Sequence, residues 1–539
     1  MKILRQSFVL TFLAILAALA TSAPLARANV YASNIKLNGA LANANVSQGS
    51  SVNISYILNE PASSGVTIKI YSGATAVRTL NVSGGGTGAL KGSNTVVWDG
   101  KNDANAIVPP GNYSITITAA TAGYTVWTQT TSDTDPGSSV SWPSGIAADQ
   151  NTNSPYYGRI VVCNGVGSGA GAGIVKLNAD GSLADEGQST AGYAFAPDGY
   201  LGDCCRSLKT GSDDRLYFND WTGIGKIVAC DMIMSTNQVI CDGANFPFPA
   251  SGGNYGEIDI ANLGTTNAMA YFTDSPSYPS LGVWAFPLTN NGIADPTFPG
   301  IQVVATGGAD LPLRAGFGLA VDDNFDICIG QTRGGTNQSS PRLCCISNWV
   351  GAASLPIVDD QTNWNIGAFD DSFRYVSSVA IDSRANPKFV AAGMNGATGG
   401  IRVVNFADGS VVTNVQSDGT VFFIATGWDN VGNLYGGTSV SVWRAFSPPG
   451  ANQATTPSVW TVRVSVPIQI TSISVSGATS TVHFTGDPAA LATDFTLLSS
   501  ATVAGPYTPA AGASITGSAG AYTATAPTTG PIQFYRIKH

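Results

Sequence analysis

Along this chain apolar and polar residues alternate at period two, in short runs bounded by Gly, Asn, Asp and Pro. That is the pattern of half-buried β-strands and not of helices. From about Ser141 to Trp460 one phrase recurs six times: a hydrophobic strand, an Asp- or Gly-containing turn, then a second hydrophobic strand. The copies are GIAADQ (145–150), SLKTGSDDRLYFND (207–220), IDIANLGTTNAMAYFTD (258–274), GLAVDDNFDICIG (318–330), VAIDSRANPKFVAAG (379–393) and IATGWDNVGNLYGG (424–437). They recur at intervals on the order of 50 residues, the repeat length of a β-propeller blade. The predicted fold class is all-β: an N-terminal sandwich, a six-bladed propeller and a C-terminal sandwich.

The sandwich before the repeats is read from SVNISYILN (51–59), VTIKIYS (66–72), NTVVWDG (94–100) and NYSITITA (112–119), each alternating and each closed by a turn. With the Trp98-Asp99-Gly100 and Pro110-Gly111 turns and Tyr113 opening the last strand, residues 45–120 resemble the FlgD-type Ig-like domain of secreted bacterial proteins. The resemblance implies a spacer or interaction module. The strand–Asp–turn–strand phrase, best kept at Asp322, Asp382 and Asp429-Asn430 with Gly432-Asn433, resembles NHL-type propellers. Past Pro467 the texture turns to Ala, Thr, Gly and Ser. There TSISVSGATSTVHFTG (471–486), FTLLSSATVAGPYTP (495–509) and the terminal QFYRI resemble Ig- or fibronectin-like modules. The expected division is 1–28 leader, 29–122 sandwich, 123–139 linker, 140–466 propeller and 467–539 C-terminal module.

The leader rests on Lys2 and Arg5, the apolar run Phe8–Ala20 and the cleavage pattern Ala26-Arg27-Ala28, which predicts a mature start at Asn29 and an exported protein without a further membrane span. Charge narrows the partners. Only 11% of residues are charged and the net charge is −9. With no basic run, a nucleic acid is not an expected partner; a protein or a glycan at the cell surface or in the extracellular space is.

The eight cysteines of an exported chain read as disulfides. Cys230 and Cys241 fall on the two arms of one hairpin, IVACD (227–231) and VICDG (239–243), and are the clearest expected pair. Vicinal Cys204-Cys205 and Cys344-Cys345 are too strained to close on themselves. One member of each is expected to reach Cys163 and Cys328 respectively.

Candidate chemistry is sparse. The only histidines, His483 and His539, lie in the C-terminal module. A Ser-His-Asp triad inside the repeats is therefore impossible. The repeated Asp at the blade turn reads as a cap for backbone N–H groups. Paired acids such as Asp322-Asp323, and DTDPGSS (133–139), are candidate Ca2+ ligands; no other cofactor is expected. Projected onto a propeller, Asp220, Trp221, Asp274, Arg314, Arg333, Arg374 and Tyr375 fall near the rim where inner strands begin, a mix suited to a glycan or peptide. The leading functional expectation is a non-enzymatic binding or scaffold protein. A Ca2+-dependent hydrolase or lactonase and a structural surface-assembly component are the alternatives.

Overall fold

Alternation translates directly into two-faced strands in the computed structural model. It describes residues 29–165, 173–194, 205–220, 226–242, 254–275, 283–289, 292–295, 300–305, 316–331, 343–347, 355–356, 366–368, 376–382, 387–394, 399–416, 421–488 and 490–539. In the strand Gly111–Tyr124 the inward positions are Tyr113, Ile115, Ile117 and Ala119, all buried, with polar residues between them. It pairs along one edge with Gly65–Ser72, and a second sheet of Ala32–Leu37, Val52–Leu58 and Gly92–Trp98 packs over it. Trp98 anchors the core between them: it is fully buried, tilted against Tyr113, and its indole N–H donates to the Lys101 carbonyl at 2.8 Å. Satisfying that one polar atom is what lets so large a ring sit in an apolar core.

The sandwich is not finished by residue 122. The other edge of Gly111–Tyr124 is covered by Gly450–Pro457 and Val462–Ser465. Val462–Ser465 then pairs in parallel with Ala44–Ser47 on its far side. Val462 and Val464 complete the same core as Trp98. Residues 450–465, expected to belong to the propeller, are therefore sandwich strands. The propeller is an insertion between two adjacent strands of one sheet.

Six blade sheets form the ring. Their inner strands are Ile146–Ala148, Leu208–Thr210, Asn254–Ala261, Gly316–Val321, Val376–Asp382 and Phe423–Trp428. Each inner strand touches the next, and the sixth touches the first. Between every pair of neighbouring blades lies an apolar core, and the core joining blade six to blade one contains Trp443, Tyr435, Ile146 and Ile160. The outermost strand of blade six is Thr128–Gln129, from the stretch expected to be a linker. A segment before the first blade thus closes the last one and ties the ring shut.

At Asp322 and Asp429 the repeated Asp is a turn cap, as its position suggested. Asp322 accepts the amides of Asn324 and Asp326 at 2.9 and 3.1 Å, and Asp429 those of Val431 and Asn433 at 2.9 Å each.

Cys163 bonds Cys205, stapling blade one to the start of blade two, and Cys328 bonds Cys345 across neighbouring strands of blade four. Cys230 and Cys241 do not bond each other. The hairpin turns early, setting Cys230 opposite Asn237, and a bulge then sets Cys241 opposite Ile227. The two side chains enter different cores, Cys230 between blades one and two and Cys241 between blades two and three. Burial pushes the Cys230 thiol up to about 12, so it stays protonated.

The C-terminal module is two small sheets, built wholly from Gln469–Ser476 onward, over a core of Phe484, Phe495, Leu497, Tyr522 and Tyr535. Its one helical element among the described residues is the single turn Ala492–Asp494. No helix among them is long and apolar enough to cross a membrane.

Candidate functional site

The channel opens where the inner strands end, into a cavity of about 290 Å³ to which all six blades contribute. Its walls follow from one position in each inner strand: Ala147, Lys209, Asp259, Ala320, Ala380 and Gly427. Four are Ala or Gly, which leave the channel open. The other two, on adjacent blades, are a cation and an anion, with Lys209 Nζ 3.5 Å from Asp259 Oδ2. The mouth is therefore lopsided, small and featureless on most of its circumference and charged on one side.

Asp259 is held rigidly. Its Oδ1 accepts its neighbour's amide, Ile260, at 2.8 Å, and its Oδ2 accepts the Val321 amide of the next blade at 2.8 Å. Burial raises its pKa, against the opposing pull of Lys209 and the two amides. Two residues earlier on the same strand, Glu257 is buried and accepts a 2.7 Å hydrogen bond from the Ser207 hydroxyl. Burial pushes this carboxyl up to about 8, so it carries a proton at neutral pH despite nearby Lys209.

Uncharged polar groups complete the lining. Thr210 donates to the Ala148 carbonyl at 2.7 Å, Gln150 to the Trp428 carbonyl at 2.7 Å, and Asn151 to the Asp214 carboxylate at 2.7 Å. Asp323 accepts the Asn262 amide at 2.7 Å, while Asp322 is paired with Lys388 at 2.6 Å. These acids are engaged in protein contacts. Among the described residues no three His, Cys, Asp or Glu side chains converge as a metal site. In DTDPGSS, Asp133 forms a two-pronged pair with Arg444, at 2.9 and 2.6 Å, which pulls its pKa down.

Most of the expected rim set falls beyond the described residues. Trp221, Arg314, Arg333, Arg374 and Tyr375 lie outside them. Asp274 sits near the end of Met269–Ser275. Asp220 is buried and accepts a 2.6 Å hydrogen bond from Tyr193, a link from blade two to blade one. The cavity lies where the inner strands end, away from Asp220 at the end of Arg215–Asp220. Sequence reasoning missed Lys209 and Asp259, yet a signal was present: the residue that faces the channel is Ala or Gly in four blades and charged in the other two.

Comparison with known proteins bears on the modules. Residues 42–123 match the FlgD Ig-like domain. That segment is similar to an Ig-like module. Here its sandwich also takes in Ala32–Leu37 before it and Gly450–Ser465 far beyond it. No curated protein is significantly similar to the chain in sequence. Similar solved structures include a glucose dehydrogenase, 12% identical, spanning 60% of this chain and 99% of that one at a TM-score of 0.37. Another is the soluble aldose sugar dehydrogenase from Escherichia coli in its apo form, 9% identical, spanning 62% and 99% at a TM-score of 0.38.

Proposed function

We propose that this chain is an exported binding protein whose propeller captures the polyhydroxylated end of a glycan in the channel mouth, with the flanking modules holding it at the cell surface. The observation that carries the reading is the lopsided ring. Four small residues leave a hole at the lower end of the roughly 300–1,000 Å³ usual for small-ligand sites, and one fixed ion pair faces it. An ammonium beside a carboxylate offers donor and acceptor to vicinal hydroxyls, and Asn151, Gln150 and Thr210 extend both kinds. Two buried disulfides fit an extracytoplasmic compartment.

The test is glycan-array binding by the whole protein, followed by titration calorimetry of any hit. Lys209→Ala is expected to weaken binding roughly tenfold or more, the scale of losing a charged hydrogen bond. Ala320→Leu, which fills the open side, is expected to abolish it. A hit that survives both substitutions, or an array without any hit, overturns the proposal.

A further inference from the structure

A buried polar cluster joins the sandwich to the propeller, and Asn29 is at its centre. Asn29 is fully buried. Its side-chain amide donates to the Pro448 carbonyl at 3.2 Å and accepts from Asn452. Its main-chain carbonyl accepts from Asn59 at 2.6 Å and from Asn433 at 2.9 Å. Its main-chain nitrogen has no acceptor among the described residues. A buried backbone donor without a partner is rare.

Three buried acceptor atoms of the cluster lack a donor, Asn433 Oδ1, Asn452 Oδ1 and Glu60 Oε2, and Glu60 is the carboxyl among them. Glu60 is 1% exposed; its Oε1 takes a 3.3 Å hydrogen bond from Ser447, the Tyr124 hydroxyl and the Lys91 ammonium also act on the carboxyl, and its Oε2 is buried with no donor at hydrogen-bond geometry. Glu60 follows Asn59, a partner of Asn29, and its own partner Ser447 precedes Pro448, another partner of Asn29, so both residues lie at one seam. Burial raises this carboxyl to about 7, and the field of Asp429 adds to the effect. With hydroxyls as its hydrogen-bond donors and no cation bonded to it, a carboxylate buried here is poorly compensated.

We infer that removal of the leader completes this junction: hydrolysis of the Ala28–Asn29 bond turns the unpaired Asn29 nitrogen into an ammonium, which pairs with Glu60 and locks sandwich to propeller. The step consumes one water, leaving a carboxylate on Ala28 and the protonated amine on Asn29. The inference rests on the export reading above and is independent of the glycan reading. It makes the Ala26-Arg27-Ala28 site more than an address label, because its position sets which nitrogen becomes charged.

Mass spectrometry of the exported protein is expected to place the mature N-terminus at Asn29; any other terminus overturns the inference and the leader assignment together. Given that terminus, the inference alone is tested by melting the processed protein and a form carrying two extra residues, Gly-Ser, ahead of Asn29. Glu60→Gln is expected to lower the midpoint of the processed form by about 4 °C and to leave that of the extended form within about 1 °C. Equal effects in both forms, or a gain in the processed form, overturn it. A second readout needs no variant: the α-amino group, followed by NMR after reductive methylation, is expected to titrate above its ordinary range of about 7.7–8.0. Titration within or below that range overturns the pairing.

Discussion

The sandwich with its propeller and the last 73 residues are both built of β-sheet, yet they are put together on different principles. The C-terminal module takes every strand and its whole core from consecutive sequence. The sandwich and propeller exchange segments: Gly450–Pro457 and Val462–Ser465 finish the sandwich, and Thr128–Gln129 finishes blade six. Each is completed by chain that lies beyond the other's boundary. Interleaving makes two architectures into one cooperative unit, whereas the C-terminal module has what it needs to melt by itself.

Truncation breaks this comparison most directly. A chain ending after Pro449 loses both returning strands and with them Val462 and Val464 of the Trp98 core. It is expected to lose the main calorimetric transition altogether. A chain ending after Val466 is expected to keep that transition and lose only the smaller one. If the shorter truncation product melts with an unchanged main transition, the two units are not interlocked.

The next largest effect is at the seam of the ring. Trp443 is fully buried in the core between blades six and one, and its indole donates to the Gly137 carbonyl at 2.7 Å. Trp443→Ala is expected to cost about 3–5 kcal/mol in the main transition alone. Phe484→Ala, in the C-terminal core, is expected to move only the minor one. Chemical denaturation followed by calorimetry separates the two.

A smaller effect follows from the buried acids of the propeller. Glu257 is raised to about 8 and Asp149 to about 6, each chiefly by burial. The folded state therefore holds protons that the unfolded state releases. Their contribution is complete below the ordinary carboxylate range and is lost as pH rises toward 8. The main transition is expected to weaken between pH 5 and 8 by roughly 2–4 kcal/mol, and Glu257→Gln to flatten most of that slope. A main transition that strengthens over this window contradicts the assignment.

How much of this could be read from sequence follows the same divide. Blades four and six keep the capping Asp, blade six with its Gly432-Asn433 turn, and their inner strands lie where alternation put them. The run ANQATT (451–456) has no hydrophobic alternation, because its residues cover a sheet edge while the neighbouring strands fill the core. Nothing local says that it returns to a sheet begun more than 300 residues earlier. The pairing of Cys230 with Cys241 failed on register: in a hairpin, a shift of one residue exchanges the faces of the sheet. Lys209 and Asp259 escaped notice because the second and third repeats are the least regular, and a ring position shows its meaning only once six strands are placed round one axis.

Inserting the propeller into a sheet also decides how the molecule carries load. Tyr124, where the chain leaves the sandwich, lies opposite Gly450, where it returns, and a side chain on Gly123 would strike the Gly450 carbonyl. Tension between the start of the sandwich and the C-terminal module therefore runs through Val462–Ser465 and its neighbours Ala44–Ser47 and Gly111–Tyr124. Of these, the parallel pairing with Ala44–Ser47 is loaded along the strands, so its hydrogen bonds resist in shear. The propeller hangs off this line as an unstressed loop, able to keep its channel in shape while the protein is pulled.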